Sequence, residues 1–245
     1  MKTKNFKTII TSLLIGLSLI GCKKENSVFD VKSRHFLEDT KYTSLTIEVV
    51  SVKGQEPNQS ALDNLKVFLS ERLNKSGGIT FVQSSIESPR NNIYSAGDLR
   101  DLEKDIRSKY TQKNKLAAFI FYADQGYVDD NSNSKVLGVA YSSTSICIFK
   151  KAIKENSGGI GQSKESKLET AVLFHEFGHL MGLVNNGTPM VQDHEDIYRQ
   201  HHCDNENCIM YFESKSSDII GLLGNGDLPT FDNQCLDDLK AYGGK

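Results

Sequence analysis

The chain has 245 residues, with 29 lysines and arginines against 31 aspartates and glutamates, so its formal net charge is −2 at pH 7. This charge argues against a nucleic-acid binder, because such proteins carry a clustered excess of positive charge. The length suits one domain, or one domain in two lobes, and a hydrophobic content of 38% provides for a sizeable core.

The first 43 residues predict a lipoprotein signal and a tether. Three lysines precede an apolar stretch, residues 9–20, that is too short to span a membrane and that runs into Leu19-Ile20-Gly21-Cys22. This ending resembles the lipobox of bacterial lipoproteins. We therefore expect cleavage after residues 1–21 and a lipid on Cys22 that anchors the protein to a membrane of the bacterial cell envelope, facing the periplasm or the surface. A secretory signal cleaved elsewhere is the alternative. Residues 22–43 are polar and lack a sustained period, as in a tether.

Residues 44–245 predict one domain in which strands and helices alternate. The predicted elements in chain order are a strand at 44–52, a helix at 61–73, a strand at 78–82, a helix at 96–110, a buried strand at 116–122 and a strand-like segment at 136–149. This order predicts an α/β (α+β) fold with a twisted, mainly parallel mixed sheet. A loop-like stretch at 218–227 and a helix at 232–241 predict a small C-terminal lobe.

The pentapeptide His175-Glu176-Phe177-Gly178-His179 is the strongest functional signal in the chain. Residues four apart share one face of a helix, so His175 and His179 can bind one metal ion with Glu176 beside them. The stretch 166–169 fits a capping box at the start of this helix. Zinc accepts imidazole ligands and lowers the pKa of a bound water, whose proton Glu176 can accept. The motif therefore predicts a hydrolytic zinc site, against the alternative of two histidines spaced this way by chance.

Gly182 follows three residues after His179 and can turn the chain sharply in a left-handed conformation. The pentapeptide and this glycine together resemble the motif of the metzincin clan of zinc peptidases. The extended motif of that clan is H-E-x-x-H-x-x-G-x-x-H, followed by a methionine turn. Asn185 stands where the clan has its third histidine. Asparagine is a poor zinc ligand, so the third ligand must come from farther along the chain.

Residues 202–210 resemble the H-C-x4-C-x-M stretch of archaemetzincins, whose third zinc histidine directly precedes the first cysteine. The resemblance implies that His202 is the third ligand, that Met210 is the methionine of the turn, and that 17 residues are inserted between positions 185 and 202. The wider segment 182–211 also resembles bacterial lipoproteins described as membrane metalloproteases.

Other side chains in the insertion compete for the third position. His194 is the main alternative ligand, and Asp193 and His201 are weaker candidates. They remain open because sequence sets the ligand types but not the geometry of a loop. If His202 is the ligand, His194 would instead form hydrogen bonds around the site or line its rim.

Four cysteines follow the predicted lipid site, at positions 147, 203, 208 and 235. In an oxidising compartment, the spacing of Cys203 and Cys208 permits a disulfide, and a bridge from either to Cys235 is equally open. The resemblance to archaemetzincins implies instead that this pair and a later C-x-x-C hold a second, structural zinc. Only Cys235 follows here, so we expect that site to lack a ligand unless Cys147 joins it.

The resemblance further implies a metzincin-like zincin domain, with an antiparallel edge strand over the cleft. Residues 137–141 are the candidate for this edge strand, and an extended peptide could bind there as an added strand. An ordinary hairpin strand would have the same sequence pattern.

We therefore predict a lipid-anchored, zinc-dependent endopeptidase that acts on polypeptides. A binding lipoprotein that keeps the fold but lacks turnover is the alternative, which the missing histidine at position 185 favours.

Overall fold

The computed structural model describes residues 31–90, 92–159, 164–211, 223 and 227–245. The predicted signal peptide and Cys22 lie outside these residues, as does most of the predicted loop at 218–227. Within the described part of the chain, no helix is long and apolar enough to cross a membrane.

The described chain folds into six helices and five strands. In chain order these are α1 (Arg34–Leu37), β1 (Ser44–Val52), α2 (Gln59–Arg72), β2 (Ile79–Ile86), α3 (Ala96–Ile106), β3 (Lys115–Ala123), β4 (Gly138–Ser142), β5 (Ser145–Phe149), α4 (Lys150–Glu155), α5 (Glu165–Leu180) and α6 (Asn233–Ala241). The predicted strand-like segment at 136–149 is thus a hairpin of two short strands.

The strands form one sheet in the order β2-β1-β3-β5-β4. The first four of these strands run parallel, and β4 pairs antiparallel with β5 at the edge of the sheet. All residues of β3 except the first are buried, because helices cover both faces of a mainly parallel sheet. The predicted mixed α/β sheet and its antiparallel edge strand are therefore confirmed.

Residues 31–43 pack against the domain instead of forming part of a tether. Val31, Phe36, Leu37 and Tyr42 are buried in the same hydrophobic core as the sheet. The Lys75 ammonium donates to the carbonyls of His35 and Tyr42, at 2.8 and 2.9 Å. The domain boundary that we predicted at residue 43 is therefore too late, because these apolar side chains are too widely spaced to produce a recognisable period.

Helix α5 is buried along nearly its whole length and contacts α2 and β4. It begins at Glu165 after Lys164, with no capping side chain, so the predicted capping box at 166–169 is not formed. Glu169 lies inside the protein, where its carboxylate accepts hydrogen bonds from Tyr122 Oη at 2.9 Å and from the Lys150 ammonium. This buried cluster fixes the helix that carries the pentapeptide.

Candidate metal centre

Helix α5 places His175 and His179 one turn apart at the floor of a cleft. Their ring centroids lie 4.7 Å apart, and their Nε2 atoms are 3.0 Å apart. His202, from the inserted loop, stacks its ring on His175 at a centroid distance of 5.3 Å and lies 5.1 Å from the ring of His179. One ring nitrogen of each of the three histidines lies within 4.8 Å of the others.

Hydrogen bonds at the other ring nitrogen orient two of these imidazoles. His175 Nδ1 lies 2.9 Å from the carbonyl of Ile209, and His202 Nδ1 lies 2.9 Å from the carbonyl of Gln200. A carbonyl only accepts, so Nδ1 carries the proton in each ring and Nε2 keeps a lone pair. Metal-binding histidines usually have such a partner at their second nitrogen.

The surroundings also keep the imidazoles of α5 neutral. Burial, together with the neighbouring His202, lowers the pKa of His175 to about 3, and burial with the adjacent imidazoles lowers that of His179 well below its usual value. A neutral imidazole is the form that binds a metal ion. Three imidazole nitrogen donors, with room for a water or substrate oxygen, match the donor set of a catalytic zinc.

Glu176 is 2% exposed and borders the same cleft, which has a volume of about 480 Å³. Gly138 of β4 makes room for it, since a Cβ at that position would lie 2.9 Å from Glu176 Oε1. Residues of β4, the stretch after β3 and the inserted loop line the remaining walls: Gly138, Val139, Ala140, Tyr127, Asp129, Val136, Asn186, Gln200 and His201. The edge strand predicted over the cleft is therefore one of its walls.

Met210 is fully buried beneath α5. A Cβ on Gly178 would lie 2.3 Å from Met210 Sδ, so the methionine packs against the helix where that helix lacks a side chain. Ile209, the residue before it, supplies the carbonyl that orients His175. Met210 thus packs on α5 at Gly178, the residue before His179.

The inserted loop leaves α5 through a tight turn. Gly182 has a φ of 76°, and a Cβ there would come within 2.7 Å of Thr188 N. Asn185, at the position of the clan's third histidine, is exposed and has a φ of 58°. Residues 194–196 then pair with residues 202–204 in a short antiparallel ladder that returns the chain to the cleft.

The structure does not bring His194 to the other histidines. Its side chain is buried, with Nε2 2.9 Å from Asp238 Oδ2 and Nδ1 3.4 Å from Cys203 Sγ. Burial lowers the pKa of His194, but hydrogen bonds with Cys203 and Asp238 outweigh this effect and raise it to about 9. The other two competitors, Asp193 and His201, also lie outside the three-histidine group.

Behind the loop, Cys203, Cys208 and Cys235 gather around Asp232, with one ligand atom of each within 4.8 Å of the others. All four described cysteines, including Cys147, are free thiols, so the disulfide considered between Cys203 and Cys208 is not formed. The Sγ atoms of Cys208 and Cys235 are 3.6 Å apart, and hydrogen bonds from Cys203 and Cys235 lower the pKa of Cys208 to about 5.

This cluster corrects the expectation that a second zinc site lacks a ligand. Asp232 occupies the fourth corner and stands three residues before Cys235, where a C-x-x-C would have its first cysteine. Thiolates and carboxylates are both zinc ligands, so the four donors fit a closed structural site. Sequence reasoning missed Asp232 because it sought a fourth thiol, and the spacing D-x-x-C was the available signal.

The fold thus combines a mixed sheet that has an antiparallel edge strand with a helix that carries two histidines and packs against this strand. The fold is archaemetzincin-like. The chain aligns with archaemetzincin from Methanopyrus kandleri with a TM-score of 0.54 at 16% identity, over 82% of this chain and 96% of that one.

Two further solved structures align at lower TM-scores. A zinc-dependent peptidase from Methanocorpusculum labreanum gives 0.46 at 16% identity, over 79% of this chain and 99% of that chain. Metalloproteinase-II from Bacteroides fragilis gives 0.43 at 14% identity, over 84% of this chain and 60% of that chain. No protein-family model and no curated protein matches the sequence.

Proposed function

We propose that this protein is a zinc-dependent peptidase in which His175, His179 and His202 hold the metal ion. The observation that carries the proposal is the group of three imidazoles, two of them oriented through Nδ1, at the floor of a cleft beside a buried glutamate. A closed structural site has no use for such a glutamate or for an open cleft.

Glu176 is the general base in this proposal. A zinc ion held by the three histidines would act as a Lewis acid and would lower the pKa of a water molecule in the cleft. Glu176 takes the proton of that water as the oxygen attacks the peptide carbonyl carbon, and it then delivers the proton to the leaving amine. Its position against Gly138 of β4, largely out of solvent, restricts the carboxylate to the side of the cleft where these transfers occur.

The substrate is an extended polypeptide that binds along β4. Among the described residues, this strand pairs with β5 on one side only, and three of its residues line the cleft. A peptide can therefore add to the free edge through main-chain hydrogen bonds, which do not depend on its side chains. Because the bond is cleaved where the peptide passes the histidines, cleavage within a chain follows, and the enzyme is an endopeptidase.

We also propose that the domain is held at a membrane of the cell envelope by a lipid on Cys22. Nine peptide units separate Cys22 from Val31, the first described residue. At a maximum of about 3.3–3.6 Å per residue, this segment spans at most about 30 Å. The anchor would therefore keep Val31, where the described domain begins, within about 30 Å of the membrane surface.

The test is hydrolysis of an unfolded protein and of a peptide blocked at both ends. Glu176→Gln should retain zinc but lose at least about 100-fold in rate, the effect typical of a general base. Glu155→Gln makes the same chemical change on the exposed surface of α4 and should retain the wild-type rate.

Three results would count against the proposal. Hydrolysis by Glu176→Gln at the wild-type rate would remove the assigned base. A wild-type protein that binds zinc tightly but cleaves neither substrate would favour the binding lipoprotein. Cleavage of free-ended peptides alone would reject the endopeptidase mode.

A further inference from the structure

We propose that the buried pair His194–Asp238 is a positioning pair, which fastens the inserted loop to α6 and thereby places His202 beside His175 and His179. This inference rests on the proposed function, because it takes His202 as the third metal ligand. His194 thus serves the metal site without binding the ion.

The pair joins two parts of the chain that are distant in sequence. His194 lies on the inserted loop and Asp238 on α6, and both side chains have a relative exposure of 0%. Asp238 uses both carboxylate oxygens on the loop, because Oδ2 lies 2.9 Å from His194 Nε2 and Oδ1 accepts the backbone N–H of Val191 at 2.6 Å. One aspartate therefore holds the loop at two points.

The short ladder carries this constraint to His202. The carbonyl of His194 accepts the N–H of Asp204 at 2.9 Å, and the carbonyl of His202 accepts the N–H of Asp196 at 2.8 Å. The His194 ring also contacts the thiol of Cys203, the residue next to His202. The backbone of residues 202–204 is thus paired with the segment 194–196 that Asp238 fixes.

Apolar packing does not provide the same constraint at the loop's tip. Ile197 and Tyr198, the large hydrophobic side chains between the two halves of the ladder, are 86% and 88% exposed. The polar pair lies where water is excluded, so removing one partner leaves a buried group without its hydrogen bond. We therefore expect the loop, and with it His202, to lose its fixed position when the pair is broken.

The experiment is a double-mutant cycle on zinc affinity, measured by equilibrium dialysis against a chelator. His202→Ala and Asp238→Ala should each weaken binding at least about 10-fold, the lower end for groups that orient metal ligands. If Asp238 acts through His202, adding Asp238→Ala to His202→Ala should cause no further loss. Asp237→Ala, the exposed neighbour on α6, is the matched control and should bind as wild type.

Further variants separate positioning from general folding. Asp238→Asn keeps Oδ1 for Val191 and removes the carboxylate that favours a charged imidazole, so its amide can donate to Nε2 of a neutral His194 whose Nδ1–H faces Cys203. It should restore affinity to within about 3-fold, less than one hydrogen bond's typical net contribution. If Asp238→Ala fails to fold, His194→Ala takes its place in the cycle, since it removes the loop's half of the pair. Thiolate charge-transfer absorption after cobalt substitution shows separately whether the cysteine cluster is filled.

The outcomes distinguish the two proposals. Unchanged zinc affinity in His202→Ala would refute the ligand assignment in the proposed function. Loss in His202→Ala without loss in Asp238→Ala would refute the positioning pair alone. Additive losses in the double variant would mean that Asp238 stabilises the protein without acting through His202, and would also overturn the inference.

Discussion

Replacing Gly138 by alanine should lower the proposed peptidase activity while leaving the three histidines of the proposed metal site in place. Gly138 begins β4, and a Cβ there would lie 2.6 Å from Val172 Cγ1 and 2.9 Å from Glu176 Oε1. Favourable contact begins at about 3.5 Å, so these atoms must withdraw by about 0.9 Å and about 0.6 Å respectively. None of the nearest contacts is a histidine.

The magnitude follows from where the displacement falls. Val172 is fully buried in a close-packed core, whereas the carboxylate of Glu176 borders an open cleft and can move into it. A misplacement of about 1 Å can reduce a rate by about 100-fold. We expect kcat/KM to fall by about 10- to 100-fold, while overpacking lowers the free energy of unfolding by about 1–3 kcal/mol.

The assay combines hydrolysis of a peptide blocked at both ends with zinc content and thermal unfolding. Gly97→Ala is the matched control, because the nearest atom to a Cβ there is Ser95 Oγ at an ordinary 3.5 Å. It should change neither kcat/KM nor zinc content. A fully active Gly138→Ala with a lowered melting temperature would refute the reasoning, since the methyl group would then be accommodated without disturbing the carboxylate that we propose as the general base.

Two further predictions concern the anchor and the cysteine cluster. Cys22→Ala should abolish incorporation of a labelled fatty acid in growing cells, and label retained by the variant would exclude Cys22 as the acceptor. Asp232→Ala should lower the metal content after dialysis from two equivalents per chain to one, because three thiolates remain where a closed zinc site needs four ligands. Asp227→Ala, an exposed aspartate nearby in sequence, should keep both equivalents, and a second equivalent retained by Asp232→Ala would show that its carboxylate is not a ligand.

The sequence predicted the features of this fold that depend on local patterns. The alternation of strand and helix periods was sufficient to predict the mainly parallel sheet. Neighbouring parallel strands require a crossover connection, and a helix between two strands provides one. The spacing of His175 and His179 predicted that both imidazoles share one helix face, and the structure brings them together. The adjacency of His202 to Cys203 pointed to the histidine that the structure places beside them.

Features that depend on contacts between distant residues were not predictable. The stretch 166–169 matches the sequence pattern of a capping box. Glu169 is instead buried in an ion pair with Lys150, which precedes this helix in the chain. Asp232 joins three cysteines only because α6 returns to the inserted loop. The need for a glycine at position 138 can be recognised only once β4 is known to pass close to Glu176. No periodicity in a single segment reports such juxtapositions.

The insertion itself is compatible with a stable site on energetic grounds. From Gly182, the path to the third ligand grows from 3 residues (185 − 182) to 20 (202 − 182). Each doubling of a loop's length costs about 0.6 kcal/mol in closure entropy, so this increase costs about 1.7 kcal/mol. A hydrogen bond to a charged group contributes about 1.5–3 kcal/mol net, so the bonds that Asp238 makes to His194 and Val191 can offset it. The spacing of the third histidine can therefore change, provided that the loop brings its own attachment to the domain.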